Sequence, residues 1–175
     1  MKIEDSIQAK LPSYANVLLQ KGLNLQQDQI LVINAPVESS DFVTILTRKA
    51  YENGAKQVVV NWRSDDLARL RYLHEKQELF ESVPDWRRDF SLYYYRKGAA
   101  FLSLISANPY LMNDVDTKKI FAWQKAYNEA LKEYVHGMMS SKTTWLVAAV
   151  PSLVWSRLLY PDTVSYTHLT LPTIA

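Results

Sequence analysis

Four short apolar runs, each separated from the next by segments of helical spacing, restrict what this chain can fold into. The runs are residues 29–34 (QILVIN), 57–62 (QVVVNW), 99–105 (AAFLSLI) and 144–150 (TWLVAAV). Each is too short for a core helix. Each also has a continuous apolar stretch rather than an alternating one, the pattern of a strand buried on both faces. Strands alternating with helices at this distance predict parallel βαβ crossovers. The expected fold class is therefore α/β, a parallel, Rossmann-like sheet of about four strands with helices on both faces.

The intervening segments carry helix signals. A first helix is expected over residues 13–23, with Pro12 in its first turn, where a missing amide costs nothing, and Tyr14, Val17 and Leu18 on one face. Pro36 should break the first strand. Ser39 or Ser40 can then cap a helix bearing Phe42, Ile45, Leu46 and Ala50, and Asn53-Gly54 should close it in a left-handed turn. Ser64, Asp65 and Asp66 are suited to starting a helix with Leu67, Leu70 and Leu73. Another is expected from Val83-Pro84 to Arg96, turning Trp86, Phe90 and Tyr93 inward and ending at Gly98. After a turn at Ala107-Asn108-Pro109, one long helix from Asp116 should carry an apolar stripe from Ile120 through Trp123, Tyr127, Leu131 and Tyr134 to Met138. A short helical segment should follow Pro151 and reach Tyr160.

Composition narrows the function classes. A chain of 175 residues, 48% hydrophobic and 22% charged, can bury a core without crosslinks. Its net charge of +2 gives no footprint for nucleic acid or an anionic membrane. No signal peptide is visible, and no run approaches the roughly 20 apolar residues of a membrane span. The complete absence of cysteine excludes disulfides, zinc–thiolate sites and cysteine nucleophiles. A cytoplasmic location is expected.

Residues 164–175 differ in character from everything before them. The stretch Val164-Ser165-Tyr166-Thr167-His168-Leu169-Thr170-Leu171-Pro172-Thr173 has no charged residue and no helical or strand pattern. It matches the translation of a transposase end sequence used in fragment libraries. The expected organisation is an amino-terminal α/β domain over 1–163 and an adapter-derived, non-native tail over 164–175, which carries no fold information.

Few side chains suggest chemistry. The run His74-Glu75-Lys76-Gln77-Glu78 places a carboxylate four residues after a histidine, where a zincin helix has its second histidine, but a third zinc ligand is missing nearby. His136, near the end of the long helix, is explained by the helix dipole, and His168 lies in the tail. The glycines at 22, 54, 98 and 137 are isolated, so there is neither a Rossmann fingerprint nor a Walker loop. The bases and aromatics between Trp86 and Lys97 resemble a single-strand binder, yet helical spacing sorts the aromatics from the bases. Ser103 and Ser106 lack a nucleophile-elbow setting.

Read in order, several stretches resemble the amino-terminal region of the thermophilic aminopeptidase family, the metallopeptidases of the aminopeptidase S, aminopeptidase T and PepS type. They are Tyr14-Ala15 with Gly22-Leu23, the segment from Ile33 to Glu38, the segment from Lys49 to Lys56, Trp62 with Asp65-Asp66, Arg69-Leu70-Arg71, the segment from Gly98 to Ser103, and the run from Trp145 to Trp155. The resemblance implies cleavage of the first peptide bond by two divalent ions, zinc, cobalt or magnesium, in the full-length protein. It places the metal ligands in a carboxy-terminal half that this chain does not contain. No catalytic, cofactor-binding or metal-binding residue is therefore assigned here, no ion is expected on this portion alone, and inactivity is expected. The implied partners are peptide substrates, the missing carboxy-terminal domain and a second copy in a homodimer, with no nucleic acid and no membrane. Glu38, Asp65 and Asp66 are the polar residues of interest, because they follow strand ends where α/β folds place functional loops; helix-start charge also explains them. The alternative is a non-catalytic α/β binding or assembly module.

Overall fold

The computed structural model describes residues 3–106 and 110–150. Its elements run α1 (Ile3–Asn16), a π-helical turn (Val17–Gly22), β1 (Ile30–Pro36), α2 (Ser40–Glu52), β2 (Gln57–Arg63), α3 (Asp65–His74), α4 (Asp85–Arg96), β3 (Ala100–Ile105), α5 (Thr117–Ala130), α6 (Lys132–Met139) and β4 (Trp145–Ala149). The four strands form one parallel sheet in the order β2-β1-β3-β4. The fold class read from the sequence is thus the observed one. The turn expected at residues 107–109, the helix expected after Pro151 and the tail lie outside the described residues.

Two helix ends show how the sequence sets the chain for its next strand. At the end of α2 the Gly54 amide donates to the Tyr51 carbonyl and the Ala55 amide to the Ala50 carbonyl, with Gly54 at φ +88°. At the end of α4 the Gly98 amide donates to Tyr95 and the Ala99 amide to Tyr94, with Gly98 at φ +69°. Both are Schellman closures, and both need a residue that tolerates positive φ. Each delivers the chain within a few residues into a strand.

Leu31, Ile33 and Ala35 of β1, together with Ala100, Leu102 and Leu104 of β3, point to one side of the sheet. There they meet Ala15, Leu18 and Leu19 from the first helical segment and Phe42, Val43 and Leu46 from α2. These residues are buried and form the main core. On the opposite side only Val32, Ala99 and Phe101 make a buried cluster among the described residues, backed by partly buried Phe90, Tyr94, Tyr95 and Tyr134. Polar ties reinforce that side. Lys119 Nζ donates to the carbonyls of Tyr72 and Glu75, 2.7 and 2.6 Å away, at the end of α3, where a cation is favoured. Arg69 pairs with Asp114, and Arg96 with Glu133.

Several local expectations are corrected. The first helix begins at Ile3 rather than Ser13, so Pro12 lies inside it. Leu11, Ala15, Leu18 and Leu19 form one buried face across the proline, and that burial offsets a backbone defect worth about 3 kcal/mol. Strand β1 ends at Pro36 as expected, but it runs through Ala35 and includes the proline as its last residue. Ser39 stands before α2, but its hydroxyl donates to the Pro36 carbonyl at 2.7 Å instead of capping an amide. The long helix is two helices, interrupted at Leu131 (φ −110°, ψ 23°), whose side chain is fully buried. The strands are not all covered on both faces: β2 and β4 are the outer strands of the sheet, and Trp62, Trp145 and Val147 remain exposed. In α4 the inward residues are Phe90, Tyr94 and Tyr95, whereas Trp86 and Tyr93 are exposed. The leucines 67, 70 and 73 of α3 are exposed as well. No described helix is long and apolar enough to cross a membrane.

Candidate functional site

The strand order makes β1 lead outward to β2 while β3 leads to β4 on the other side. The connection therefore reverses between β1 and β3, the point at which parallel α/β sheets open a crevice at the carboxyl ends of their strands. A cavity of about 480 Å³ lies there. Its floor is a polar row across three strands. Asn34 of β1 is in register with Asn61 of β2 on one side and with Ser103 of β3 on the other. Asn61 Nδ2 donates to Asn34 Oδ1 at 2.9 Å. The Ser103 hydroxyl has no hydrogen-bond partner among the described residues.

The walls come from the ends of strands and from helices α4 to α6. Trp62 and Arg63 end β2, Trp86, Arg87, Phe90 and Ser91 come from α4, and Tyr127 and Tyr134 face them from α5 and α6. Arg63 Nη2 donates to the Leu104 carbonyl at 2.6 Å. The Arg87 guanidinium stacks 5.2 Å from the centre of Trp86 and 5.5 Å from that of Trp123. Neither arginine has an ion-pair partner among the described residues, and no described acidic residue lines the cavity. Burial pushes the Tyr127 phenol up, opposed by the Arg87 charge, and burial followed by the neighbouring Tyr127 pushes Tyr134 up. Both stay protonated and able to donate. The result is a recess with cationic and hydrogen-bonding walls, an amide-and-hydroxyl floor and aromatic sides.

The residues singled out from sequence stand at the same end of the sheet but outside this recess. Glu38 is exposed in the 3₁₀ turn between β1 and α2. Asp65 and Asp66 occupy the first turn of α3, after Ser64, whose hydroxyl accepts from the Leu67 amide. The Arg69 guanidinium is held charged chiefly by its hydrogen bond to Asp114, opposed by desolvation, with Asp66 adding a smaller attraction. The two helix-start aspartates thus stabilise α3, and nothing brings them together with Glu38. Helix α3 stops at His74, so His74 and Glu78 do not share a helix face. Glu75 is engaged by Arg71 Nε at 2.6 Å. His136 stands exposed in the last turn of α6.

Among the described residues no three His, Cys, Asp or Glu side chains converge to hold a metal ion. The described side chains do not fit a resident metal centre. Asn34, Asn61 and Arg63, which line the recess, were missed by sequence reasoning, and Ser103 was considered only as a nucleophile. Their signal was a polar residue in the carboxyl-terminal half of each of the first three otherwise apolar runs.

Such a domain, a parallel α/β sheet with a recess at its reversal point, defines a class rather than an activity. The chain belongs to the thermophilic metalloprotease (M29) family, whose model matches residues 7–170. It is 39% identical over 157 residues to aminopeptidase AmpS of Bacillus subtilis (strain 168), covering 90% of this chain and 38% of that protein. It is 33% identical over 153 residues to aminopeptidase 2 of Geobacillus stearothermophilus, covering 87% of this chain and 37% of the relative. The structure of wild-type AmpT from Thermus thermophilus superposes with a TM-score of 0.80 at 28% identity, over 90% of this chain and 40% of that one. The chain spans less than two-fifths of the length of these curated relatives.

Proposed function

We propose that this chain is the amino-terminal α/β portion of a metal-dependent aminopeptidase, a cytoplasmic homodimer that releases amino-terminal residues from peptides with the help of two divalent ions. Zinc, cobalt and magnesium are the candidate ions. Residues 1–163 make up that portion, and residues 164–175 are adapter-derived.

One observation carries the reading. The family match runs through nearly the whole chain, yet the chain corresponds to only 38% of AmpS. The ion ligands then belong to the remaining length of the full protein. The portion described here walls the substrate chamber and does no hydrolysis alone.

Leucine p-nitroanilide tests this directly, assayed with cobalt or zinc on this chain and on a gene product continued past codon 163. The longer product is expected to turn over and to stop when a chelator is added, while the 175-residue chain is expected to be inactive. Chelator-sensitive turnover by the chain alone would overturn the assignment of the ligands. Genomic DNA sequence past codon 163 tests the boundary. The family match itself reaches residue 170, so a genomic sequence encoding residues 164–175 as they stand would remove the adapter assignment.

A further inference from the structure

We infer that the recess at the β1–β3 reversal point is a carboxylate clamp, and that its ligand is the carboxyl end of a peptide whose last residue is aromatic or aliphatic.

Charge selects the first part of the ligand. Arg63 and Arg87 both border the recess without an acidic partner, and no described acidic side chain faces them there. A guanidinium suits a planar carboxylate, which accepts two parallel hydrogen bonds from it. The same arrangement disfavours a free amino acid, because its ammonium group would enter a recess with two cations and no anion. Phosphate is the weaker candidate, since no glycine-rich loop presents backbone amides to the recess.

The floor and walls select the remainder. Asn34, Asn61 and Ser103 offer amide and hydroxyl groups in register across three strands. Such groups can bond the last peptide unit, which carries an amide N–H where a free amino acid carries an ammonium. Trp86 and Phe90 supply an apolar wall for the side chain. The volume, about 480 Å³, falls within the range of small-ligand pockets, about 300–1,000 Å³. The assignment of a peptide rests on the proposed aminopeptidase reading. An enzyme that removes residues at one end of a short peptide gains register from holding the other.

Titration of this chain by intrinsic tryptophan fluorescence tests the clamp, because Trp62 and Trp86 border the recess. The probes are N-acetylphenylalanine, its neutral carboxamide and free phenylalanine. The acid is expected to give saturable quenching, with the carboxamide and free phenylalanine at least tenfold weaker. Arg87→Gln should weaken the acid about tenfold and leave the carboxamide unchanged, and Arg87→Lys should restore part of the loss. Equal affinity for acid and carboxamide in the unsubstituted chain, or no saturable response, would overturn the clamp without relying on any variant. A longer gene product that fails to hydrolyse leucine p-nitroanilide would sink the aminopeptidase reading while leaving these titrations as they are, so the two can fail separately.

Discussion

The two faces of the sheet are held in different ways. Beneath α1 and α2, hydrocarbon from four strands and two helical segments closes into one buried cluster. Opposite, α4 and α6 rest on a small apolar patch, while polar ties join Lys119 of α5 to the end of α3, Arg69 to Asp114 and Arg96 to Glu133. Exposed ion pairs contribute little to stability, so the second layer is positioned more than it is welded. The difference explains where a recess can exist. A sealed interface has no room for Asn34, Asn61 and Ser103, whereas a loosely covered one can leave them solvated and available.

The largest expected effect tests that contrast. Leu102→Ala removes a fully buried side chain from the sealed face and is expected to cost about 2–5 kcal/mol. Phe90→Ala, on the open face, removes a partly buried ring and is expected to cost about 1 kcal/mol. Urea denaturation midpoints measured side by side check this. If the ring substitution costs as much as the leucine, the two faces are equally important to stability and the contrast fails.

A smaller pair of effects compares the two Schellman closures. A Cβ on Gly54 would lie 2.1 Å from Gln27 Oε1, whereas one on Gly98 would meet nothing within 4 Å. Both positions have positive φ, so alanine at either is strained by about 1 kcal/mol. Gly54→Ala should cost about 2 kcal/mol because Gln27 must also move, and Gly98→Ala about 1 kcal/mol. Thermal midpoints should therefore fall further for the first. Equal falls would mean that Gln27 moves aside freely.

Periodicity made the fold legible because it reports burial along one element at a time. The central strands, the closures at Gly54 and Gly98 and the helix start at Asp116 are all local events written in adjacent residues. The interruption at Leu131 is different. It has no proline or glycine to announce it and follows from packing between elements. Pro12 misled because a proline is so well suited to a first turn that a buried face running across it was overlooked. The site was hidden for the same kind of reason. Asn34, Asn61 and Ser103 become a row only once strand order and register are known, and no single run reveals that. Glu38, Asp65 and Asp66 were visible because they follow strands, and they mark the correct end of the sheet without entering the recess.

Alkaline titration separates the faces by their tyrosines. Burial raises Tyr72, Tyr127 and Tyr134 on the open side, with Arg71 and Arg87 opposing the shift at Tyr72, and burial raises Tyr14 on the sealed side. A phenol whose folded pKa exceeds its unfolded value, about 10, favours the folded state fully below that value. The contribution is lost as pH rises above about 10 toward the folded pKa. Stability should hold up to about pH 9 and then fall, together with a rise in tyrosinate absorbance. Tyr134→Phe should flatten that fall more than Tyr14→Phe, since the shift at Tyr134 is the largest of the four. The reverse order would place the alkaline weakness on the sealed face.

The smallest effect on stability is expected at the floor of the recess. Asn61 lies on an outer strand, exposed, and its amide donates to Asn34. Asn61→Val removes that hydrogen bond but introduces a side chain favoured in strands. The lost bond and the gained propensity are each about 1 kcal/mol or less, so they should nearly cancel, within about 0.5 kcal/mol. Binding of N-acetylphenylalanine should nevertheless weaken. A polar row that contributes nothing to stability and yet governs affinity has its explanation in what it binds. If Asn61→Val instead destabilises the chain by 2 kcal/mol or more while leaving binding intact, the row is a structural bridge between two strands, and the open face has a reason of its own to be polar.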